Sequence, residues 1–156
     1  MLELTDSHLD VAAEAYAKVG LAVADAFISC WHVKYVYNLL RPVTYIQDPT
    51  GPINDPSWNP IFPTPPFPEY TSGHSTQSGA VAKVLTDLFG AIPFTDETHV
   101  TSLGLVRSFA NFDAAADEAA ISRLYGGIHY RAAIDDGLEQ GRCIGQLILD
   151  NIQFRN

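Results

Sequence analysis

Three separated segments hold residue types suited to gripping a small tetrahedral oxyanion: Lys34 to Pro42, Ser72 to His74, and Ser122 to His129. Lys34 and Arg41 are seven residues apart on one helical pattern and continue its inward line. They therefore sit almost above one another, and an enclosed anion meets the Arg as a two-pronged fork and the Lys as a point charge. Burying either cation uncompensated costs roughly several kcal/mol, so the plain alternative is that both snorkel to water at the helix end or pair with buried carboxylates. Ser72-Gly73-His74 stands where a proline-rich loop enters a helix, which sets a hydroxyl and an imidazole beside first-turn N–H groups and the positive end of a helix dipole. Read alone, the tripeptide is a serine N-cap, a glycine for tight approach and an ordinary histidine. Ser122-Arg123 closes another helix, and Gly126-Gly127 permits the reversal that turns Arg123 and His129 toward one cavity. Singly, they read as a helix C-terminal charge and a polar loop residue. A shared site is favoured by economy: three of the nine basic side chains and two of the five histidines fall in these segments, and no carboxylate within them is placed to neutralise the charge.

The elements that must position these residues follow from periodicity. At 156 residues and 47% hydrophobic, the chain is long enough for one core, and residues 1–156 are read as a single domain. After a Thr5-Asp6-Ser7 capping cluster, the alternation Leu9, Ala13, Tyr16, Gly20, Val23, Phe27, Cys30, Lys34, Tyr37, Arg41 predicts the seam of a packed helix. Gly20 either divides it or permits close helix contact, and Pro42 ends the pattern. Residues 42–71 hold nine of the ten prolines, a stiff irregular connection of the kind kept for function. Helical spacing returns at His74, Ser78, Val81, Leu85 and Leu88, stopping at Gly90. Residues 91–111 are ambiguous, with an extended reading for Val100 to Val106. Asp113 is the expected cap of an alanine-rich helix to Leu124, and a last helix from about Ala133 to Ile152 turns Gly137, Gly141, Ile144, Ile148 and Ile152 inward. The expected fold is all-α, a helical bundle of four to six helices with a long proline-rich loop.

Composition excludes several classes of function. Nine Lys and Arg against eighteen Asp and Glu leave a formal charge of −9, which argues against a nucleic-acid backbone or an anionic membrane as partner. The opening residues lack a basic n-region and an apolar h-region, and no stretch is apolar for long enough to span a bilayer, so the chain reads as soluble, with its compartment undetermined. Cys30 and Cys143 are expected as two small buried thiols. Zinc is disfavoured because His74 and His129 lack a third ligand nearby and sit among cations, and a serine-hydrolase triad lacks a third partner.

The combined pattern Lys34-x6-Arg41-Pro42, Ser72-Gly73-His74 and Ser122-Arg123-x5-His129 resembles the three-part signature shared by vanadium haloperoxidases and type 2 phosphatidic acid phosphatases. The stretch Pro63-Thr64-Pro65-Pro66-Phe67-Pro68-Glu69-Tyr70 before Ser72 is similar to the soluble haloperoxidase branch, and the resemblance runs from about Trp31 to Gly141. It implies that Lys34, Arg41, Ser72, Gly73 and Arg123 bind the oxygens of vanadate, or of phosphate in the same cage. It further implies that His129 bonds vanadium, that His74 is the acid–base residue, and that Trp31 and Phe67 line the halide side of the pocket; simple core packing is the alternative for these two aromatics.

The implied activity is haloperoxidation, in which hydrogen peroxide oxidises a halide at a His-bound vanadate and a small organic acceptor is halogenated. The same pocket suits a phosphomonoester hydrolase working through a phosphohistidine at His129, or a silent oxyanion-binding protein. The chain departs from the family pattern at Thr71, where Pro is common, and at Ala133, where an Asp commonly lies four residues after the last His; the nearest acids are Asp135 and Asp136. Soluble relatives are longer, with a helical bundle before the catalytic one. A homodimer is one way to cover the face that such a bundle would bury, and a chain that is a truncation or fragment is the other reading.

Overall fold

The computed structural model describes residues 8–154. Six helices follow in order: α1 (Leu9–Tyr37), α2 (Pro42–Gln47), α3 (Gly73–Phe89), α4 (Val100–Leu103), α5 (Phe112–Tyr125) and α6 (Arg131–Asn151). Two short strands, β1 (Phe94–Asp96) and β2 (Arg107–Phe109), pair antiparallel around α4, with Phe94 opposite Phe109. The bundle expected from the sequence is present, with this ribbon as an added feature. Where residues 100–106 were expected to be extended, the structure has the α4 turn followed by coil, and the strands lie to either side. The cluster Thr5-Asp6-Ser7 lies outside the described residues.

Central to the bundle is α3, which packs against α1, α5 and α6. One core cluster joins Ala22 and Ala26 of α1 to Ala80, Val84, Ile148 and Leu149. A second joins Ala82 to Phe112, Ala116, Ala120, Ile134 and Leu138. The buried face of α1 is thus Glu14, Ala15, Lys18, Ala22, Ala26, Cys30 and Lys34, with Glu14 and Lys18 paired at 2.7 Å, and it is rotated away from the expected seam over its first five turns. Leu9 is 85% exposed and Tyr16 75%, and Gly20 faces open space without dividing the helix. Alanines let the α1 backbone approach its neighbours closely, a gain that periodicity of large apolar residues cannot display. The two lines converge at Cys30 and Lys34, so the placement of the buried cation survives the correction. Cys30 is buried, but Cys143 is exposed, and both thiols are free.

The ends of the helices differ from expectation in instructive ways. Asn38, in the left-handed region at φ 48°, ends α1 before Pro42 is reached. Pro42 instead opens α2, where its missing N–H costs nothing. Asn111 rather than Asp113 caps α5, its Oδ1 accepting the Ala114 N–H at 2.8 Å. Ser72 caps α3 as the sequence suggests, with Oγ accepting from the Ser75 N–H. Among the described residues no helix is long and apolar enough to cross a membrane.

The α3–α6 contact depends on glycines. A Cβ on Gly141 would stand 2.1 Å from the Thr76 carbonyl oxygen, and one on Gly79 would stand 2.6 Å from that of Leu138. Gly141→Ala is expected to destabilise the fold by about 1–3 kcal/mol through overpacking. Gly20→Ala, on an open helix face, is expected to stabilise it by about 0.5–1 kcal/mol. Chemical denaturation of the two variants checks both, and equal effects would contradict this packing.

Candidate active site

The residues that draw the segments together are the two cations of the first. Lys34, fully buried, donates from Nζ to the carbonyl oxygens of Pro68 at 3.0 Å, Glu69 at 2.9 Å and Thr71 at 2.5 Å. All three ammonium donors are thereby used. Arg41 donates from Nε to the Phe67 carbonyl at 3.0 Å, from Nη2 to that of Pro68 at 3.3 Å, and from Nη1 to that of Ile128 at 2.8 Å. The reason lies in the loop, where Pro63, Pro65, Pro66 and Pro68 have no N–H to offer. Where this partly buried chain has surplus acceptors it needs donors from elsewhere, and Lys34 and Arg41 provide them.

Behind the loop lies a cavity of about 190 Å³ lined by Phe27, Trp31, Pro65, Phe67, Gly73, His74, Gln77, Arg123, Ile128 and His129. Six of the residues singled out by sequence meet there: Trp31, Phe67, Gly73, His74, Arg123 and His129. Lys34, Arg41 and Ser72 do not line the cavity, although Arg41 Nη1 stands 3.1 Å from His129 Nε2. The two cations still set its charge. Lys34 Nζ lies 5.6 Å from the Trp31 ring centre and 5.4 Å from that of Phe67, and the Arg41 guanidinium lies 5.1 Å from Phe67. Trp31 packs on Phe67 at 4.8 Å and on Phe27 at 4.3 Å, so an aromatic wall closes one side.

Arg123 reaches the cavity from the last turn of α5, with its guanidinium 5.0 Å from the Phe62 ring centre. Its buried Nε has no hydrogen-bond partner among the described residues. His74 lies in the first turn of α3, more than a third exposed, at the helix's positive end. Burial and then Arg123 hold its pKa below the ordinary imidazole value. His129 is 5% exposed, and its pKa is also lowered, by burial first and further by Arg41 and Lys34, against an opposing effect of Glu69. Both rings are therefore neutral near pH 7. Burial pulls Lys34 down to about 8, which leaves it mostly charged at that pH.

Sequence reasoning missed Glu69. Only 1% exposed, it sets Oε1 2.7 Å from His129 Nδ1 and accepts the Tyr130 N–H at 3.0 Å. A clue was present in the sequence, since Glu69 is the one acid between Pro63 and Thr71 in an otherwise apolar, proline-rich stretch. The acids nearest Ala133 do not replace it: Asp136 takes the Tyr70 hydroxyl at 3.0 Å, and Asp135 lies on the surface near Arg131. The opposite ring nitrogen of His129, Nε2, faces Arg41 Nη1 at 3.1 Å.

Comparison with known proteins accords with this geometry. Residues 14–155 match the family described as the VCPO second helical-bundle domain. The chain belongs to the vanadium haloperoxidase family. It is 26% identical to the vanadium chloroperoxidase of Curvularia inaequalis over 83% of its own length and 29% of the relative's. It also superposes on the crystal structure of the first bacterial vanadium-dependent iodoperoxidase with a TM-score of 0.91 and 51% identity, covering 97% of this chain and 36% of that one. The fold recurs in a holo-type bacterial vanadium-dependent chloroperoxidase, TM-score 0.70 at 22% identity, with 85% of this chain and 34% of that one covered. The chain thus spans about a third of the length of these relatives.

Two outcomes follow from the geometry. Lys34→Met removes a donor from three loop carbonyls, of which that of Pro68 keeps Arg41 while those of Glu69 and Thr71 are buried, so at about 1–3 kcal/mol each before relaxation a loss of about 2 kcal/mol or more is expected, with proteolytic cleavage appearing first between residues 60 and 71. Limited proteolysis with mass mapping checks it. The folded chain also binds fewer protons at His129 than the unfolded chain, whose imidazole titrates near about 6.5. Its contribution is full above that pH and is lost as pH falls through the lowered folded value. Urea melts from pH 7 to 5 should show this loss, and His129→Gln should flatten the slope.

Proposed function

We propose that this chain forms the oxyanion-holding domain of a haloperoxidase, binding vanadate and using hydrogen peroxide to oxidise a halide for transfer to a small organic acceptor. The observation that carries the reading is electrostatic. Three cations, Lys34, Arg41 and Arg123, crowd one small cavity against the single carboxylate of Glu69, within a chain of net charge −9. Such a surplus is tolerated when an anion completes it.

The residues present fit vanadate. Arg123 Nε and the first-turn N–H groups of Gly73 and His74 are the donors at the cavity wall. His129 Nε2 carries a lone pair, because the group facing it, an arginine, can only donate. His129 Nε2 would hold the metal in place of one Arg41 contact, and Arg41 would stay anchored through Nε, Nη2 and the Ile128 carbonyl. When bound, vanadate supplies Lewis acidity that makes peroxide electrophilic without a change in the metal's oxidation state. His74, neutral and at the cavity mouth, accepts a proton from incoming peroxide and returns one to the departing oxygen. The rings of Trp31 and Phe67 keep water from the side on which the halide approaches.

Titration of the purified chain with vanadate, followed by parallel assays of peroxide-dependent iodide and bromide oxidation and of phosphomonoester hydrolysis, tests the proposal. Arg123→Ala is expected to cost about 100- to 1,000-fold in turnover and His74→Ala about 100- to 10,000-fold. Hydrolysis without halide oxidation would replace this reading with a phosphatase, and vanadate binding with neither activity would reduce it to an oxyanion binder.

A further inference from the structure

We infer that Glu69 is a positioning residue for His129, fixing its ring and its tautomer so that the Nε2 lone pair faces the oxyanion site. The inference rests on the proposed bonding role of His129. It deepens that role by naming a residue that neither the motif nor the family resemblance singles out.

Four contacts hold Glu69 in place. Its N–H donates to the Leu39 carbonyl at 3.0 Å, just beyond α1, and its own carbonyl accepts from Lys34 Nζ at 2.9 Å. Its side-chain Oε1 accepts the Tyr130 N–H at 3.0 Å and stands 2.7 Å from His129 Nδ1. An oxygen that already accepts from a backbone N–H is an acceptor for the ring as well, so Nδ1 carries the proton. Arg41 reaches the same conclusion from the other side, since Nη1 at 3.1 Å can only donate and Nε2 must accept. Two partners of opposite chemistry, drawn from different segments, thus select one tautomer. A ring whose second nitrogen donates to a carboxylate is both oriented and more basic, an arrangement worth about 10- to 100-fold in affinity at histidine-ligated metals. The carboxylate comes from the loop and not from α6, where Ala133 is fully buried and Asp135 and Asp136 face outward.

The test compares the wild-type chain with Glu69→Ala and Glu69→Gln. Long-range ¹H–¹⁵N spectra of the wild-type imidazoles should show His129 protonated at Nδ1 and bare at Nε2, whether or not any anion is added. The reverse pattern overturns the inference. With inorganic vanadate and phosphate as separate probes, Glu69→Ala should weaken vanadate binding about 10- to 100-fold, while phosphate, held by the cations and cavity donors without a bond to His129, binds equally well or more tightly once a negative group is gone. Glu69→Gln retains an accepting oxygen and should recover most of the vanadate affinity. Equal weakening of both anions would mean that Glu69 only shapes the pocket, which overturns the inference. Should Glu69→Ala fail to fold, the glutamine variant and the wild-type tautomer decide. If the wild type binds neither anion, the proposed function fails, while the tautomer pattern still supports or overturns the role of Glu69.

Discussion

The structure around the cavity depends on a shortage of backbone donors. The stretch from Pro63 to Thr71 has no helix or strand to pair its carbonyls, and four of its nine residues are prolines without an N–H. Such a segment cannot be buried on its own terms, because each unpaired carbonyl retains its full desolvation cost. Lys34 and Arg41 remove that obstacle by donating to five carbonyls, those of Phe67, Pro68, Glu69, Thr71 and Ile128. Two charges on the last turn of α1 and just after it thereby order a loop that comes some thirty residues later in the chain. The cavity wall is a consequence of that ordering.

This arrangement changes how the cationic site is understood. Motif reasoning expects Lys34 and Arg41 to bind an oxyanion, and the geometry gives all three Lys34 donors and three of the five on Arg41 to backbone carbonyls, with Arg41 Nη1 also facing His129. Their charge is not consumed by carbonyl dipoles. It persists as a field across a small, partly apolar cavity, where screening by water is weak. Arg123 then differs from the other two in kind: its Nε is buried without a partner, so it combines charge with an available donor. The lowered pKa values of His74 and His129 fit the same field, since burial and neighbouring cations both disfavour a second positive charge on an imidazole.

Much of this was legible in the sequence, and the failures have physical causes. The burial of Lys34 and the meeting of Arg123, His74 and His129 at one cavity are legible because a cation on an inward helical line, a loop–helix junction and a double-glycine turn each leave a local signature. The last helix and its glycine contacts at Gly137 and Gly141 were legible for the same reason. The orientation of α1 was not, because its packing uses Ala15, Ala22 and Ala26, while the large residues Leu9, Tyr16 and Ile28 are exposed. Periodicity weights size, and close packing here rewards its absence. Glu69 was missed because its importance arises from a contact sixty residues away, which no local spacing encodes.

Glu69 also gives a physical account of why the loop and the histidine form one unit. A carboxylate on α6 at position 133 would orient His129 from the same segment that carries it, independently of the loop. In this chain Ala133 instead contributes only its carbonyl, which accepts the Ser72 N–H at 2.9 Å and fixes the start of α3. The acid facing His129 comes from the loop, where the Glu69 backbone is bonded to Leu39 and Lys34 and its side chain to His129 and Tyr130. Ordering the loop and orienting the ring are therefore the same event. A disturbance at Lys34 should reach His129 through Glu69, which does not itself line the cavity, and this is the coupling expected when one residue bridges two otherwise separate networks.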